Sequence, residues 1–329
     1  MRELRWMALT TGFCLFFIFS ASAQVIKLKV GYSTIAVGQS LIWVTKEAGI
    51  FKDNGLEVQL IFIGSSTIAT QALIAGDVPI VIMSGATAIN SSLAGSDLVI
   101  VGSTKKDPAQ AFLTTSKEIT ETSQLRGKKL GVSRLGASSD FLLRYILKRI
   151  GLVPGKDVSI IQVGSSPVRM AALANGAIDG TALSFEEMMV AKKMGFNVLL
   201  DITKLNIEAL NSDFVTTRRF VRDSKATLKR FVKGMVQGVH FYANNKKFAM
   251  DVISRYSKSR DMEKIEYGYD YNSRIYLKKP YPAIKAIQLA LEEISEKNPA
   301  ARAAKPEQFI DSSFVKELDE SGYIDGLYK

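Results

Sequence analysis

One segment of fourteen residues occurs twice in this chain, one hundred positions apart. IGSSTIATQALIAG covers residues 63–76, and VGSSPVRMAALANG covers residues 163–176. Both read as the end of a strand, a turn and a helix, because small residues and hydroxyls suit tight turns and helix caps. A chain that repeats one strand–turn–helix unit in a fixed register is predicted to contain two lobes built on one plan.

The sequence around each copy alternates strands with helices of about ten residues. VIKLKVGYS, LEVQLIFIG, VPIVIMS and DLVIVGS read as strands, and residues 128–200 repeat the same order of elements. Apolar strands that alternate with helices are typical of parallel βαβ units with helices on both faces of the sheet. The sequence therefore predicts an α/β fold.

A second, shorter repeat indicates where the chain passes from one lobe to the other. AFLTTSKEI at 111–119 resembles DFVTTRRFV at 213–221, and both flank the second unit. We interpret Phe112–Thr115 and Phe214–Thr217 as two crossing strands around a central cleft, although two ordinary core strands would give the same pattern. The predicted limits are residues 24–114 plus 217–329 for lobe I and 115–216 for lobe II.

The N-terminus has the organisation of an export signal. Arg2 and Arg5 precede a short apolar run, and the small residues Ala21 and Ala23 follow it. This pattern predicts a signal peptide over residues 1–23, cleaved after Ala23, and a periplasmic protein. Cys14, the only cysteine, would leave with the signal.

The chain is basic, with a formal net charge of +11. Its Lys and Arg are scattered among acidic residues, as in KSRDMEKIEYGYD, and form no basic block. This distribution argues against a nucleic-acid partner.

Glycines and hydroxyls are concentrated in the turns that follow the predicted strands. In open α/β sheets, ligands bind beyond the carboxyl ends of strands, where helix N-termini present free N–H groups. Arg134 and Arg169 lie in two of these turns, although a cation opposes the dipole of a helix start. Arg169 is therefore expected to meet a carboxylate, an anionic ligand or simply solvent. Trp43 and Tyr32 could stack on a flat ligand, but their spacing favours core packing.

Motifs for catalysis and metal binding are lacking in the sequence. His240 is the only histidine and lies in a predicted helix, so no triad or HExxH motif can form around it. No GxGxxG, EF-hand or Cys/His cluster occurs. We therefore predict no catalytic residue, no metal and no cofactor.

The residues quoted above, together with GYSTIAVGQSLIWVTKEAGIFKDNGLEV and LRGKKLGVSRLGASSDFLLRYIL, resemble a known group. The chain is similar to the solute-binding proteins of ABC importers of the nitrate/sulfonate/taurine type and to the related binders of thiamine-pyrimidine precursors. The resemblance implies a type II periplasmic-binding-protein fold, in which two lobes close on a small solute. It also implies a membrane permease as partner, and we expect a monomer.

The resemblance also implies ligand-binding side chains at the starts of helices, to which the argument above adds Arg169. The resulting candidates are Thr34, Gln39, Ser65, Ser66, Ser84, Thr87, Arg134, Ser138, Arg169, Ser184 and Glu186. Glu186 and Glu187 depart from the expected pattern, because they bring negative charge towards the pocket. They leave amine-bearing or heterocyclic solutes open beside anionic ones.

The predicted function is thus capture of a small organic solute for an ABC import system. Two alternatives remain: an enzyme on the same fold, similar to a pyrimidine-precursor synthase, and a periplasmic ligand-sensing protein. The export signal and the position of His240 argue against the enzyme.

Overall fold

The structure is a computed structural model that describes residues 25–108, 111–205, 207–296 and 298–329. The predicted signal peptide lies outside the described residues. In the part of the chain described, ten strands form two five-stranded sheets. The first sheet contains β1 (Ile26–Tyr32), β2 (Leu56–Phe62), β3 (Ile80–Met83), β4 (Leu98–Lys105) and β10 (Asn211–Thr217). The second contains β5 (Phe112–Thr115), β6 (Lys129–Val132), β7 (Ser159–Gln162), β8 (Gly180–Leu183) and β9 (Asn197–Asp201).

The two sheets have the same topology. Their strand orders are β2-β1-β3-β10-β4 and β7-β6-β8-β5-β9. In each, three parallel strands are followed by one antiparallel strand, β10 or β5, and then by an edge strand. The predicted α/β fold of two lobes on one plan is therefore confirmed.

The two strands that we expected to cross between the lobes each belong to one sheet. Phe112–Thr115 pairs along its whole length with β8 and β9, and Asn211–Thr217 pairs with β3 and β4. A strand hydrogen-bonded on both sides within one sheet cannot also span the gap to the other. The sheets thus change between Lys105 and Phe112 and between Asp201 and Asn211, whereas the lobe limits at 115 and 216 stay a prediction.

Helices cover the sheets and make up most of the C-terminal third. The N-terminal part of lobe I carries α1 (Ser40–Glu47), α2 (Ile50–Asp53), α3 (Ser66–Ala75) and α4 (Gly85–Leu93). The second sheet is flanked by α5 (Ser138–Arg149), α6 (Ser166–Ala174) and α7 (Phe185–Lys193). The C-terminal helices are α8 (Arg218–Asp223), α9 (Lys225–Asn244), α10 (Lys246–Ser257), α11 (Met262–Ile275), α12 (Ile284–Ser295), α13 (Ala300–Ala303), α14 (Ser313–Glu320) and α15 (Tyr323–Gly326). Among the helices described, none combines the length and apolar character needed to cross a membrane.

The largest core lies between the first sheet and helices α1, α9 and α10. Trp43 is fully buried there, edge-on to Tyr32 and stacked on Tyr256 at a ring-centroid distance of 5.3 Å. The apolar stripe of α9, from Leu228 to Val239, packs into the same core. The prediction that Trp43 and Tyr32 are core residues is therefore confirmed.

Gly238 allows α9 to approach α1 closely. A Cβ at this position would lie 2.0 Å from Thr45 Oγ1 and 3.0 Å from Thr45 Cβ. Only a residue without a side chain permits this helix–helix distance, which fixes α1 and the turn before it against the rest of lobe I.

Candidate functional site

The repeated turns bring hydroxyl groups into a cleft between the lobes. Ser65 caps α3 by accepting a hydrogen bond from the backbone N–H of Ile68, and Ser66 Oγ accepts one from the N–H of Ser84. Ser165 and Ser166 occupy the matching positions at the start of α6. Ser33, Ser133 and Ser138 face the same space.

Two adjoining cavities make up the cleft. The first, which we call the hydroxyl cavity, measures about 50 Å³ and is lined by Ser33, Thr34, Gln39, Phe62, Gly64, Ser65, Ser66, Ser84, Ser133, Ser138, Ser165, Ser166, Arg169 and Asn211. The second, the charged cavity, measures about 30 Å³; its lining includes Lys105, Ser184, Glu186, Glu187, Tyr271 and Asn272. Thr34, Gln39, Ser166 and Asn211 line both. Since one water needs about 10–15 Å³, each cavity has room for a few waters or one small chemical group.

Most of the predicted ligand-binding residues line these cavities. They are Thr34, Gln39, Ser65, Ser66, Ser84, Ser138, Arg169, Ser184 and Glu186. Thr87 and Arg134 line neither. Thr87 Oγ1 instead donates a hydrogen bond to the carbonyl of Gly136 in the other lobe, and Arg134 is exposed. Contact with a ligand stays a prediction for all eleven.

Arg169 is the most unusual side chain in the cleft. It is 1 % exposed, and its guanidinium donates only to neutral acceptors: Thr181 Oγ1 at 2.9 Å, Ser166 Oγ at 3.0 Å, and the carbonyls of Gly164 and Ala182. Burial lowers its pKa, and the nearby charge of Glu187 opposes this effect. The expectation that Arg169 could simply face solvent is therefore wrong. The residue is a buried cation that faces the hydroxyl cavity, paired with none of the carboxylates in the ion pairs described.

Lys105 is a second buried cation, at the end of β4. Its Nζ donates to the carbonyl of Gly38 at 2.6 Å and to Asn272 Oδ1 at 3.0 Å, and lies over the ring of Tyr276. Burial lowers its pKa to about 8, although the charge of Glu186 partly offsets the effect. Sequence reasoning missed Lys105, because a Lys–Lys pair after a strand reads as a solvated end. The sequence feature that indicates burial of Lys105 is its position just after the very apolar run LVIVG.

The two acidic residues of the cleft begin α7 and have different partners. Glu187 Oε2 accepts from both the N–H and the hydroxyl of Ser184, which forms a capping box. Glu186 Oε1 accepts from the N–H of Val37 at 3.1 Å, across the gap between the lobes. Burial and the neighbouring Glu187 raise the pKa of Glu186. Both carboxylates therefore hold backbone donors as well as facing the cleft.

β10 and α11 complete the cleft with residues that the sequence analysis did not single out. Asn211 lines both cavities, and Asn272 orients Lys105. Tyr271 stacks on Phe185 of the other lobe at a centroid distance of 5.6 Å. Asn211 lies in β10, and Tyr271 and Asn272 lie on α11, which has an ordinary amphipathic pattern. Nothing local in the sequence therefore marks these residues as part of the cleft.

Solved structures of several binding proteins share this fold. SsuA, the alkanesulfonate-binding protein from Xanthomonas axonopodis pv. citri bound to MOPS, matches with a TM-score of 0.74 and 15% identity, covering 88% of this chain and 99% of that chain. The nitrate-binding protein NrtA from Synechocystis PCC 6803 matches with a TM-score of 0.71 and 14% identity, covering 90% and 89%. The desulfurization enzyme DSZB matches with a TM-score of 0.65 and 14% identity, covering 89% and 99%. At these identities the likeness shows the fold alone.

Sequence comparison gives a relative and a family. A Bacillus subtilis (strain 168) protein named "Putative binding protein YtlA" is 22% identical over 298 residues, covering 85% of this chain and 87% of its own. The family model described as NMT1/THI5 like matches residues 39–249, which is well over half of the chain and includes most of the cleft. The chain therefore belongs to the NMT1/THI5-like family.

Proposed function

We propose that this protein binds a small organic anion in its cleft, as the solute-binding component of an ABC import system. The observation that carries the anionic part is Arg169, a buried guanidinium whose hydrogen-bond acceptors are all neutral. Among the described residues Arg169 has no ion-pair partner, and Glu187 acts on it only from a distance. A buried cation in that position is costly, and an anion among the surrounding hydroxyl donors would offset the cost.

The likenesses support binding as the activity. SsuA and NrtA are by name binding proteins for alkanesulfonate and nitrate, and YtlA is named as a binding protein. DSZB is an enzyme, so the fold by itself does not decide between the two. His240, whose position already argued against an enzyme, lies on α9, packs edge-on against Tyr328 and is not among the residues that line the cleft.

The acidic side of the cleft is compatible with an anionic solute. Glu187 is held by Ser184 and Glu186 by the backbone of Val37, so both have structural partners. The charge of Lys105 also interacts favourably with that of Glu186. The hydroxyl cavity, where Arg169 lies, contains neither glutamate among its lining residues.

The place of action that we propose follows from the N-terminal export signal: cleavage after Ala23, a periplasmic protein, and delivery of the solute by a monomer to the transmembrane subunits of a permease. Hinge closure of the two lobes would enclose the solute. A scattering curve of the purified protein that contracts when ligand is added would support closure, and an unchanged curve at saturation would contradict it.

The decisive test is calorimetric titration of the purified protein with small sulfonates and carboxylates, compared with neutral and cationic analogues. We expect binding of anions and a loss of at least tenfold in affinity in Arg169→Met, because a charge-assisted hydrogen bond contributes about 1.5–3 kcal/mol. Arg169→Lys should recover part of the loss. Arg219→Gln, an exposed arginine outside the cleft, is the matched control. Binding confined to cations, or equal affinity in Arg169→Met, would refute an anion site at Arg169.

A further inference from the structure

The start of α1 receives its cap from the opposite lobe. A short 3₁₀ turn, Val37–Gln39, leads into α1, and the residue before it, Ala36, has no side chain that could accept a hydrogen bond. The backbone N–H of Val37 donates instead to Glu186 Oε1 of α7, at 3.1 Å. By contrast, α3 is capped by Ser65 of its own lobe. A carboxylate suits a helix start, because it accepts a hydrogen bond there and faces the positive end of the dipole.

The charges around Glu186 also act between the lobes. Its carboxylate is 3 % exposed, so it has lost most of its hydration and depends on partners in the protein. Two cations of lobe I attract it, Lys105 at the end of β4 and Lys264 on α11, whereas Glu187 repels it. Since Glu186 belongs to lobe II, the attraction of the two cations adds to the hydrogen bond in favouring contact between the lobes.

The turn that Glu186 contacts is fixed within lobe I. Lys105 Nζ donates to the carbonyl of Gly38, the residue after Val37, at 2.6 Å, and the hydroxyl of Tyr276 donates to the same carbonyl at 3.4 Å. A Cβ on Gly38 would lie only 3.0 Å from Lys105 Nζ. The hydrogen bond from Val37 to Glu186 therefore joins lobe II to a well-held part of lobe I.

Phe185, directly before Glu186, holds the start of α7 against lobe I. Its ring stacks on Tyr271 at a centroid distance of 5.6 Å and meets Tyr267 edge-on at 6.2 Å, and both tyrosines lie on α11. Glu186 thus starts from a position that is already fixed when its carboxylate reaches the turn. All of these contacts join groups of the protein itself, so they stabilise the closed arrangement without a contribution from a solute.

We propose that Glu186 is a latch, which caps α1 across the gap and holds the two lobes closed before any solute binds. The latch is independent of the kind of solute that the cleft takes. The hydroxyl and charged cavities of the closed arrangement have room for only a few waters or one small group, so the lobes must separate to admit a larger molecule. The hydrogen bond to Val37 has to break in that step, and the latch therefore limits the rate of entry.

The test measures the distance between the lobes in the purified, dialysed protein with no ligand added. Spin labels on Gln71→Cys and Ala171→Cys, which are exposed and occupy equivalent positions of α3 and α6, report this distance in pulsed electron paramagnetic resonance. Cys14→Ser removes the one native cysteine. We expect the labelled protein with Glu186 to give mainly one short distance.

Glu186→Ala should lower the ratio of closed to open molecules about tenfold or more and shift the distances to longer values. The reason is that it removes a hydrogen bond to a charged acceptor together with the attraction to Lys105. Glu186→Gln should have an intermediate effect, because its amide oxygen can still accept from Val37.

Val37→Pro breaks the latch from the other side, because proline has no N–H to donate. Proline is well tolerated at the first residue of a helical turn, and Ala36 already has the extended backbone that the residue before a proline requires. This variant should open the lobes as Glu186→Ala does. Combining the two should open them no further, since both remove the same hydrogen bond. Val37→Ala, which shortens the side chain and keeps the N–H, controls for lost packing.

Glu263→Gln is the control for lobe contacts in general. It breaks the exposed pair between Lys193 of α7 and Glu263 of α11 and should leave the distances unchanged. Identical distances in wild type, Glu186→Ala and Val37→Pro would overturn the latch, and so would additive effects of the last two. The titrations that test the proposed function are separate, so the anion site and the latch can fail independently.

Discussion

At the scale of single residues, the cleft is distinguished by two buried cations, Arg169 and Lys105, whose hydrogen bonds among the described residues all go to neutral acceptors. Hydroxyls at helix starts could be predicted from the sequence, because Ser and Thr after a strand have few other roles. The burial of Arg169 could not be predicted, since its four hydrogen bonds come from two separate strand–turn regions, 164–166 and 181–182. The burial of Lys105 could not be predicted either, because its hydrogen-bond partners, Gly38 and Asn272, lie far away in sequence.

Asp213 gives a test at this scale. It is fully buried, Oδ2 accepts from the N–H of Gly85 at 2.8 Å, and Oδ1 has no hydrogen-bond partner in the described structure. Burial raises the pKa of Asp213 to about 7 from an ordinary value of 3.8. Below pH 3.8 the carboxyl is protonated in both the folded and the unfolded chain. Above that pH the unfolded chain loses its proton first, so the free energy of unfolding falls towards pH 7, by at most about 4 kcal/mol.

We therefore expect Asp213→Asn to remove this part of the pH dependence, because the amide oxygen can still accept from Gly85. Urea unfolding at several pH values from 4 to 8 would measure it, as a difference from wild type that grows in favour of the variant. Asp251→Asn, an exposed carboxylate on α10, is the control. Parallel curves for Asp213→Asn and wild type would show that Asp213 is ionised throughout.

At the scale of elements, periodicity predicted the parallel strands and their helices but not the roles of β5 and β10. The starts of α3 and α6 follow directly from the repeated turn at Ser66 and Ser166. A short buried strand has the same sequence pattern whether it crosses between sheets or pairs antiparallel within one, since only its partners differ. Partners far along the chain are not visible in a local pattern.

The contact between α9 and α1 gives a test for the elements. We expect Gly238→Ala to destabilise the protein by roughly 1–3 kcal/mol, because the added methyl would overlap Thr45. Gly326→Ala, on a helix where a Cβ meets nothing within 4 Å, should be neutral or slightly stabilising. Thermal unfolding measures both.

The double variant Gly238→Ala, Thr45→Ala checks the cause. It should be less destabilised than the sum of the two single variants, since removing the threonine hydroxyl and methyl relieves the overlap. Additive effects would mean that the destabilisation in Gly238→Ala does not come from overlap with Thr45.

At the scale of the whole molecule, the two lobes are held together at their edges as well as in the cleft. Lys148 of α5 pairs with Glu293 of α12 and with Glu296, directly after that helix, each at 2.6 Å. Lys193 of α7 pairs with Glu263 of α11 at 2.6 Å. The Lys148–Glu293 pair is the more buried, with side-chain exposures of 30% and 11% against 58% and 55% for Lys193–Glu263. An exposed pair contributes little in water, so the first should matter more.

We expect Lys148→Met to weaken the contact between α5 and α12, which joins the two lobes. The dissociation constant for a verified ligand should rise about twofold to tenfold, mainly because the ligand is released faster. Lys193→Met should change it less than twofold. Stopped-flow kinetics of ligand release would measure the difference. Raising the ionic strength should lower the affinity of the wild type towards that of Lys148→Met. Equal effects of the two variants would exclude a special role for the α5–α12 pair.

The position of β10 also implies an order of assembly. The second sheet is built from one continuous part of the chain, Phe112–Asp201, and can form as soon as that part exists. The first sheet cannot, because β10 must enter between β3 and β4, and its pairings join Asp213 to Met83 and Asn211 to Lys105, more than 100 positions apart. Contacts this distant in sequence form slowly. The inserted lobe is thus in a position to fold first, whereas the lobe that contains β1 can be completed only after β10 has been made.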